Sequence, residues 1–488
     1  MPMTFNTKSA RQIFDNSILL AREVYAAEHR ANPYFNILNL TSKSITSYPD
    51  LFMGRTKLWR LFNSFSGACF NIILSLVYWP KAIKLQNSTK GKIDILIISH
   101  LNSKKNISDT EDFYFSNLQA NSAKRGYKTH TFLINHCRAG VLESKKLIRK
   151  NTNILPAFFS PLVELKHFLK LFIASFSIPK LDEASSFSKS ARFAQFGSTA
   201  MGNYRIAKLI LRVVEESKPN FILHTFEGHG WERILAAEAH KISGSIKVFG
   251  YQHTVLFPGK RALNFQYGRG ADPDHIFTIG STNKNLMEME SEFKNISVIG
   301  SNKFKNKGHV KKPNKNRQCL FAPEGVISEV ILMAEFALKV ARNAKNNKFS
   351  MRLHPILKKE KVLRILEQKF GRFESNFSIS EESLESDLEN SSWVCYRGST
   401  VVLEGISNTL RPIYLDIDGV LDLNDPLPQD LKFRRVASKP EHLVQIINED
   451  SSKKNFNSLE VSEAKKFVND YIMRFNPSRL VDYIDSLN

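Results

Sequence analysis

The stretch "FILHTFEGHGWERILAAEAH", residues 221–240, decides how the rest of the chain is read. An apolar run ends at Phe226, meets a carboxylate, two glycines and a histidine, and passes straight into a helical pattern. A strand followed at once by a helix is half of a βαβ unit. Gly228 and Gly230 allow a tight turn or a close approach to a ligand. Glu227 stands at the carboxyl end of the strand, the edge at which open α/β sheets bind ligands. The same carboxylate also suits a cap on the helix that begins near Trp231.

The alternation extends in both directions. "KIDILIISHL" (92–101) is a β-branched run of the kind buried on both faces of a parallel sheet. "DTEDFYFSNLQANSAKRGYKTHTFLINH" (109–136) predicts a helix ended by Gly126 and then a second strand. Helical "YRIAKLILRVVEESKP" and "WERILAAEAHKIS" alternate with strands "IKVFGYQH", "DHIFTIG" and "ISVIG". After the Lys/Asn-rich "SNKFKNKGHVKKPNKNR" the pattern restarts with "QCLFAPEG", "ISEVILMAEFALKVARNA", "FSMRLHP", "SWVCYRGST", "VVLEGISNTL" and "RPIYLDI". The expected fold is therefore α/β, with two Rossmann-like domains facing a central cleft. The expected division is a mainly helical extension over 1–90, a first domain over 91–300, a linker over 301–317, a second domain over 318–440, and C-terminal helices over 441–488 that pack back across the domains.

With 488 residues the chain has room for about two to four domains. Its 69 Lys+Arg against 47 Asp+Glu give a net charge of +22, which favours anionic partners such as an acidic membrane surface or phosphorylated substrates. No zinc-finger, RNA-recognition or helix-turn-helix pattern occurs, so nucleic acid is not an expected partner. Cys69, Cys137, Cys319 and Cys395 are scattered without paired spacing, which argues against a disulfide framework and suits a reducing compartment. "MPMTFNTKSARQIFDN" lacks the apolar core of a signal peptide, so a cytoplasmic location is expected. "LFNSFSGACFNIILSLVYWP" (61–80) is uncharged and long enough to span a bilayer. Asn63, Ser64, Ser66, Gly67, Asn71 and Ser75 dilute it, so the expectation is a buried or membrane-surface helix. "LVELKHFLKLFIASFSIP" (162–179) also suits the inner face of a membrane, or else a core helix with a solvated edge.

Two further motifs sit where a strand meets a helix. "RLHP" carries Arg352 and His354, and "YRGST" carries Arg397, Gly398, Ser399 and Thr400. Hydroxyls after a glycine at a helix start suit a phosphate, although capping is the commoner use of such residues. His354 before a proline also fits a packed core histidine. Gly228, His229, Tyr251, Gln252, His253 and Glu324 of "APEG" are further cleft candidates. No aspartate pair or His/Asp cluster that would hold a metal is present at these turns, so metal-independent chemistry is expected.

The order of a carboxylate-glycine motif, a His-Pro motif and a paired-hydroxyl motif resembles that of bacterial sialyltransferases and related GT-B transferases. "FEGHGWER", "GYQH", "YRGSTVVLEGISNTLRPIYL", "DFYF" (112–115) and "VIGSNKF" (298–304) look more closely like a family of bacterial surface-carbohydrate biosynthesis proteins. The resemblance covers roughly residues 92–430. It implies a GT-B glycosyltransferase using a nucleotide sugar, in the manner of a Kdo- or sialyltransferase with a CMP-activated acidic sugar, and a glycan or glycolipid acceptor. No cofactor beyond the donor is implied. By that pattern Glu227 is the general base, His354 contacts the donor phosphate with Ser399 and Thr400, and Glu404 reaches the nucleotide ribose. The chain departs from the pattern in offering Phe226-Glu227-Gly228 where two consecutive acids usually stand.

Other readings stay open. A CDP-glycerol or CDP-ribitol phosphotransferase, or a transferase using a UDP- or GDP-sugar, would also use a basic cleft with histidines. "PIYLDIDGVLD" (412–422) imitates the first motif of haloacid-dehalogenase-type phosphatases, with Asp416 as nucleophile and Asp418 as acid/base, but it comes late for that fold. A polysaccharide-assembly protein that keeps the fold without turnover is the remaining class.

Overall fold

The computed structural model describes residues 57–81, 83, 92–176, 196–256, 263–268, 270–302, 318–417, 425–452 and 456–487. Most of the expected helical extension, residues 303–317 of the expected linker, and Asp418 lie outside these.

The first sheet is β1 (Ile95–Leu101), β2 (Thr129–Asn135), β3 (Thr152–Ile154), β4 (Phe221–Thr225), β5 (Lys247–Gln252), β6 (His275–Thr278) and β7 (Ile296–Val298). Its spatial order is β3-β2-β1-β4-β5-β6-β7, and every pairing is parallel. The second sheet is β8 (Gln318–Ala322), β9 (Lys348–Met351), β10 (Phe377–Ile379), β11 (Trp393–Tyr396), β12 (Arg411–Leu415) and β13 (Arg435–Ala437), in the order β10-β9-β8-β11-β12-β13, again parallel throughout. This is the two-lobe α/β architecture the alternation predicts. Each sheet reverses its strand order once, between β1 and β4 and between β8 and β11, so each has one crevice outside the carboxyl ends of its central strands. The central strands are apolar on both faces because helices cover both; β1 is buried except at His100.

Around the first sheet run α1 (Lys57–Tyr78), α2 (Leu118–Lys124), α3 (Val141–Ser144), α4 (Pro161–Phe176), α5 (Ser198–Ser217), α6 (Gly230–Ile242) and α7 (Ser281–Glu290). The second lobe has α8 (Ile327–Asn343), α9 (Lys359–Phe370), α10 (Leu384–Asn390), α11 (Val401–Ser407) and α12 (Pro440–Ser452). The helix expected from residue 109 is shorter than its pattern: turns run through 109–117 and only α2 is helical. Asp112 is the cause. Its Oδ1 accepts the N–H of Tyr114 and of Phe115 at 2.9 Å and the hydroxyl of Ser99 at 2.8 Å, competing with the helix for those donors. Its Oδ2 pairs with Arg149 at 3.1 Å.

The expected C-terminal helices are α13 (Ser458–Tyr471) and α14 (Pro477–Asp485). α13 packs on α11 of the second lobe and on α7 of the first, and α14 packs on α2. Between them the chain runs beside Ile299–Ser301, with Ser301 N–H donating to Met473 O and Asn476 N–H to Ile299 O, each at 2.8 Å. Gly280 and Gly300 permit this approach. A Cβ at either would lie 2.2 Å from the carbonyl oxygen of Tyr471 or Arg474, and Gly300 has φ +90°. One buried apolar cluster is thereby continuous from Ile97 and Leu223 through Leu480 and Ile484 to Leu320 and Tyr396.

Candidate active site at the two switch points

The turn after β4 is organised by a residue the sequence reading passed over, Glu232. Its carboxylate, almost wholly buried in the first turn of α6, accepts the backbone N–H of Glu227 at 3.1 Å and those of Gly228 and His229 at 2.7 Å each. Gly228 takes φ +83°, which the tight wrap around that carboxylate requires. Burial lifts the Glu232 carboxyl to about 7, with the backbone donors pulling the other way. The cap on α6 is therefore a box between His229 and Glu232, and Glu227 is left at the mouth of the turn, partly exposed.

Imidazoles surround Glu227. His229 Nε2 lies 3.2 Å from Glu227 Oε2, and His253 Nε2, at the end of β5, lies 3.7 Å from Glu227 Oε1. His253 packs edge-on against Tyr114 at 4.6 Å between ring centres. His100, on the last turn of β1, holds Thr225 Oγ1 at 2.6 Å and His136, just past β2, at 2.8 Å. Burial first, then the neighbouring His136 and His253, hold His100 well below its usual value, so the ring is neutral at pH 7. Burial lowers His136 as well, with His229 adding to it. Burial raises the Tyr114 phenol, whose oxygen accepts a hydrogen bond from Asn102 at 3.0 Å. Four consecutive strands of the sheet order, β2, β1, β4 and β5, thus each end in a histidine or in Glu227. The signal was present in "IISHL" and "FLINH", where a histidine closes each apolar run.

Of the other front-lobe candidates, Gln252 is fully buried, with its amide donating to Thr254 O and its carbonyl accepting from Asn283 at 3.2 Å. Tyr251 is buried and donates to Gly300 O at 2.8 Å.

The rear-lobe candidates gather at the second switch point. His354 sits over Gly325 of the Glu324 loop, where an added Cβ would come within 3.1 Å of its Nδ1, and its ring is exposed. Arg397 pairs with Glu329 in the first turn of α8 at 3.3 Å. Arg352 donates to Glu382 O at 2.7 Å and to Asp387 at 2.8 Å, so this guanidinium clamps the start of α10. Glu404 lies close enough to Arg352 for the cation to offset part of the upward push that burial gives its carboxyl. Ser399 is buried and its Oγ meets Val401 N–H at 3.4 Å, a long contact; Thr400 carries no side-chain cap bond to α11. Gly398 lies in the bend between β11 and Ser399. Among the described residues no group of three His, Cys, Asp or Glu side chains is set to hold a metal ion.

No family model matches the chain, and no curated protein matches it. Solved structures do resemble it. The glycotransferase of kitacinnamycin is 10% identical over 82% of this chain and 99% of its own, with a TM-score of 0.48. MurG of Acinetobacter baumannii is 9% identical over 81% and 99%, at 0.44. The UDP-GlcNAc 2-epimerase of Methanocaldococcus jannaschii is 13% identical over 77% and 99%, at 0.42. At this depth the likeness carries no chemistry, which rests on the residues themselves.

Proposed function

We propose that the chain is a glycosyltransferase that moves a sugar from a nucleotide donor to a hydroxyl of a surface polysaccharide or lipopolysaccharide precursor. The observation that carries this reading is Glu227 held at the first switch point between the imidazoles of His229 and His253, by a turn whose backbone donors are taken up by Glu232. In the reaction the acceptor oxygen bonds to the anomeric carbon and its proton passes to Glu227. The bond from that carbon to the donor phosphate breaks, and its electron pair leaves on the phosphate oxygen. A positioned carboxylate base contributes about 10²–10⁴-fold in rate. The growing charge on the leaving phosphate is met from the second lobe by His354 and the hydroxyls of Ser399 and Thr400, with Arg397 behind them. A fixed donor of that kind contributes roughly 2.7–4 kcal/mol. Glu404 is the acceptor for the ribose hydroxyls. Because protein donors meet the leaving charge, turnover is expected to persist in chelator.

The donor we favour is a CMP-activated acidic sugar, Kdo or a nonulosonic acid, on the strength of the motif order and a net charge of +22. The test is a melting experiment with CMP, CDP, UDP and GDP, since a ligand that binds only the native state raises its stability. A shift with CMP alone supports this donor class. A shift with UDP or GDP alone replaces the acidic sugar, and a shift with CDP alone favours glycerol- or ribitol-phosphate transfer.

A further inference from the structure

The helix α1 is built inside out, and α4 beside it buries Phe168 and Leu171 with Glu164 and Ser175 yet carries a second apolar stripe outward. On α1 the stripe facing the protein is small and polar: Ser64, Ala68, Asn71 and Ser75 are buried. Asn71 donates to Ser198 Oγ at 2.7 Å and accepts from Arg205 at 2.9 Å, and Arg205 is paired with Glu164 of α4 at 2.6 Å. The opposite stripe is apolar and open, with Phe62 at 71% and Ile73 at 55% exposure. On α4 the outward positions 162, 165, 169, 173 and 176 recur at helical spacing and are all apolar and exposed. The two helices pack on each other, Phe65 meeting Phe168 at 5.2 Å between ring centres, so the stripes form one surface. A helix that turns its polar side to the protein and its apolar side outward is arranged for an apolar solvent.

We infer that the joint outer face of α1 and α4 docks onto an anionic phospholipid bilayer, with both helices lying in the interface. Charge selects this occupant. α1 has no acidic residue, and the one acid of α4, Glu164, is buried against Arg205. Among the described residues, neither helix shows a carboxylate to solvent. Lys166 and Lys170 of α4 and Arg212 of α5 stand exposed beside the face. By length and composition Leu61–Tyr78 would also cross a membrane. The buried stripe argues for lying flat: contacts from Ser64 to Ser75 fix about 16 Å of α1 along the lobe. The docking face adjoins the candidate site, because a cavity of about 280 Å³ is lined by Phe70 and Asn71 of α1 together with His136. The inference does not depend on the transferase reading.

The test is flotation of the full chain with vesicles of phosphatidylglycerol and phosphatidylcholine, compared with phosphatidylcholine alone. Binding to the anionic vesicles, weakened by salt, is expected. The variant Phe62→Ser/Ile73→Ser/Ile173→Ser, altered only at exposed positions, should keep its melting temperature and bind vesicles at least about tenfold more weakly. Three results overturn the inference: no flotation of the wild type, equal flotation of the variant, or a concentration-dependent dimer that the same substitutions abolish, which would make a second copy the occupant.

Discussion

The Glu232 carboxylate accepts the N–H of Gly228 at 2.7 Å, reaching one turn back to hold the loop that carries Glu227. Glu232→Ala strands three amide donors, the buried one of Gly228 and the half-buried ones of Glu227 and His229, so stability should fall by roughly 1–3 kcal/mol, by the cost of unpaired buried groups. Chemical denaturation measures this. An unchanged midpoint would show that the loop does not need its anchor.

Glu227 sits at the mouth of that loop with His229 at 3.2 Å. Glu227→Gln keeps the size and removes the base. Turnover should drop by about 10²–10⁴-fold while the nucleotide still raises the melting temperature. Loss of both together would move Glu227 from proton transfer to donor binding.

Burial holds His167, His224 and His275 at about 4, against about 6.5 when unfolded. Stability from these rings is full above pH 6.5 and drains as pH falls towards 4, because the unfolded chain takes up protons first. Glu232 works in the opposite sense: raised to about 7, it adds stability below about 4.5 that is lost as pH rises to 7. Three rings outweigh one carboxyl, so the melting temperature should fall between pH 6.5 and 4. His167→Phe, which keeps the ring between Phe159 and Tyr204, should flatten that slope. A slope identical to wild type would remove His167 from the account.

Gly300→Ala places a methyl 2.2 Å from Arg474 O at φ +90°. The tail must shift, at a cost of about 1–3 kcal/mol typical of overpacking. Limited proteolysis should then cut ahead of α14 sooner than in wild type; equal rates would mean that the contact yields cheaply.

The strands on which both lobes are built were legible because parallel strands buried on two faces must be mostly apolar, as "ILIISHL" and "WVCY" are. The three-residue strands β3, β10 and β13 were not, whereas the equally short β7 was read because "ISVIG" is an apolar run closed by a glycine. Asp112 hid the break in the helix before α2, because its effect is a side chain taking backbone donors, which no apolar spacing records. The same holds for the site. Glu227 was visible as an acid at a strand end, whereas His100 and His136 lie 36 residues apart and meet only because β1 and β2 are neighbours. In "PIYLDIDGVLD" the first acid, Asp416, directly follows β12 and gives its N–H to Ala437 O at 3.1 Å, extending the pairing with β13.

Tyr483 of α14 lies against His275 of β6, 4.0 Å between ring centres, and Leu480, Val481 and Ile484 are fully shielded within the cluster that also holds the first sheet. Those side chains are translated about 180 residues after β7, once the whole second lobe has been synthesised. The amino-terminal lobe therefore waits, with one apolar flank uncovered, until its distant seal arrives. A nascent chain stalled after α12 should need a chaperone to stay soluble.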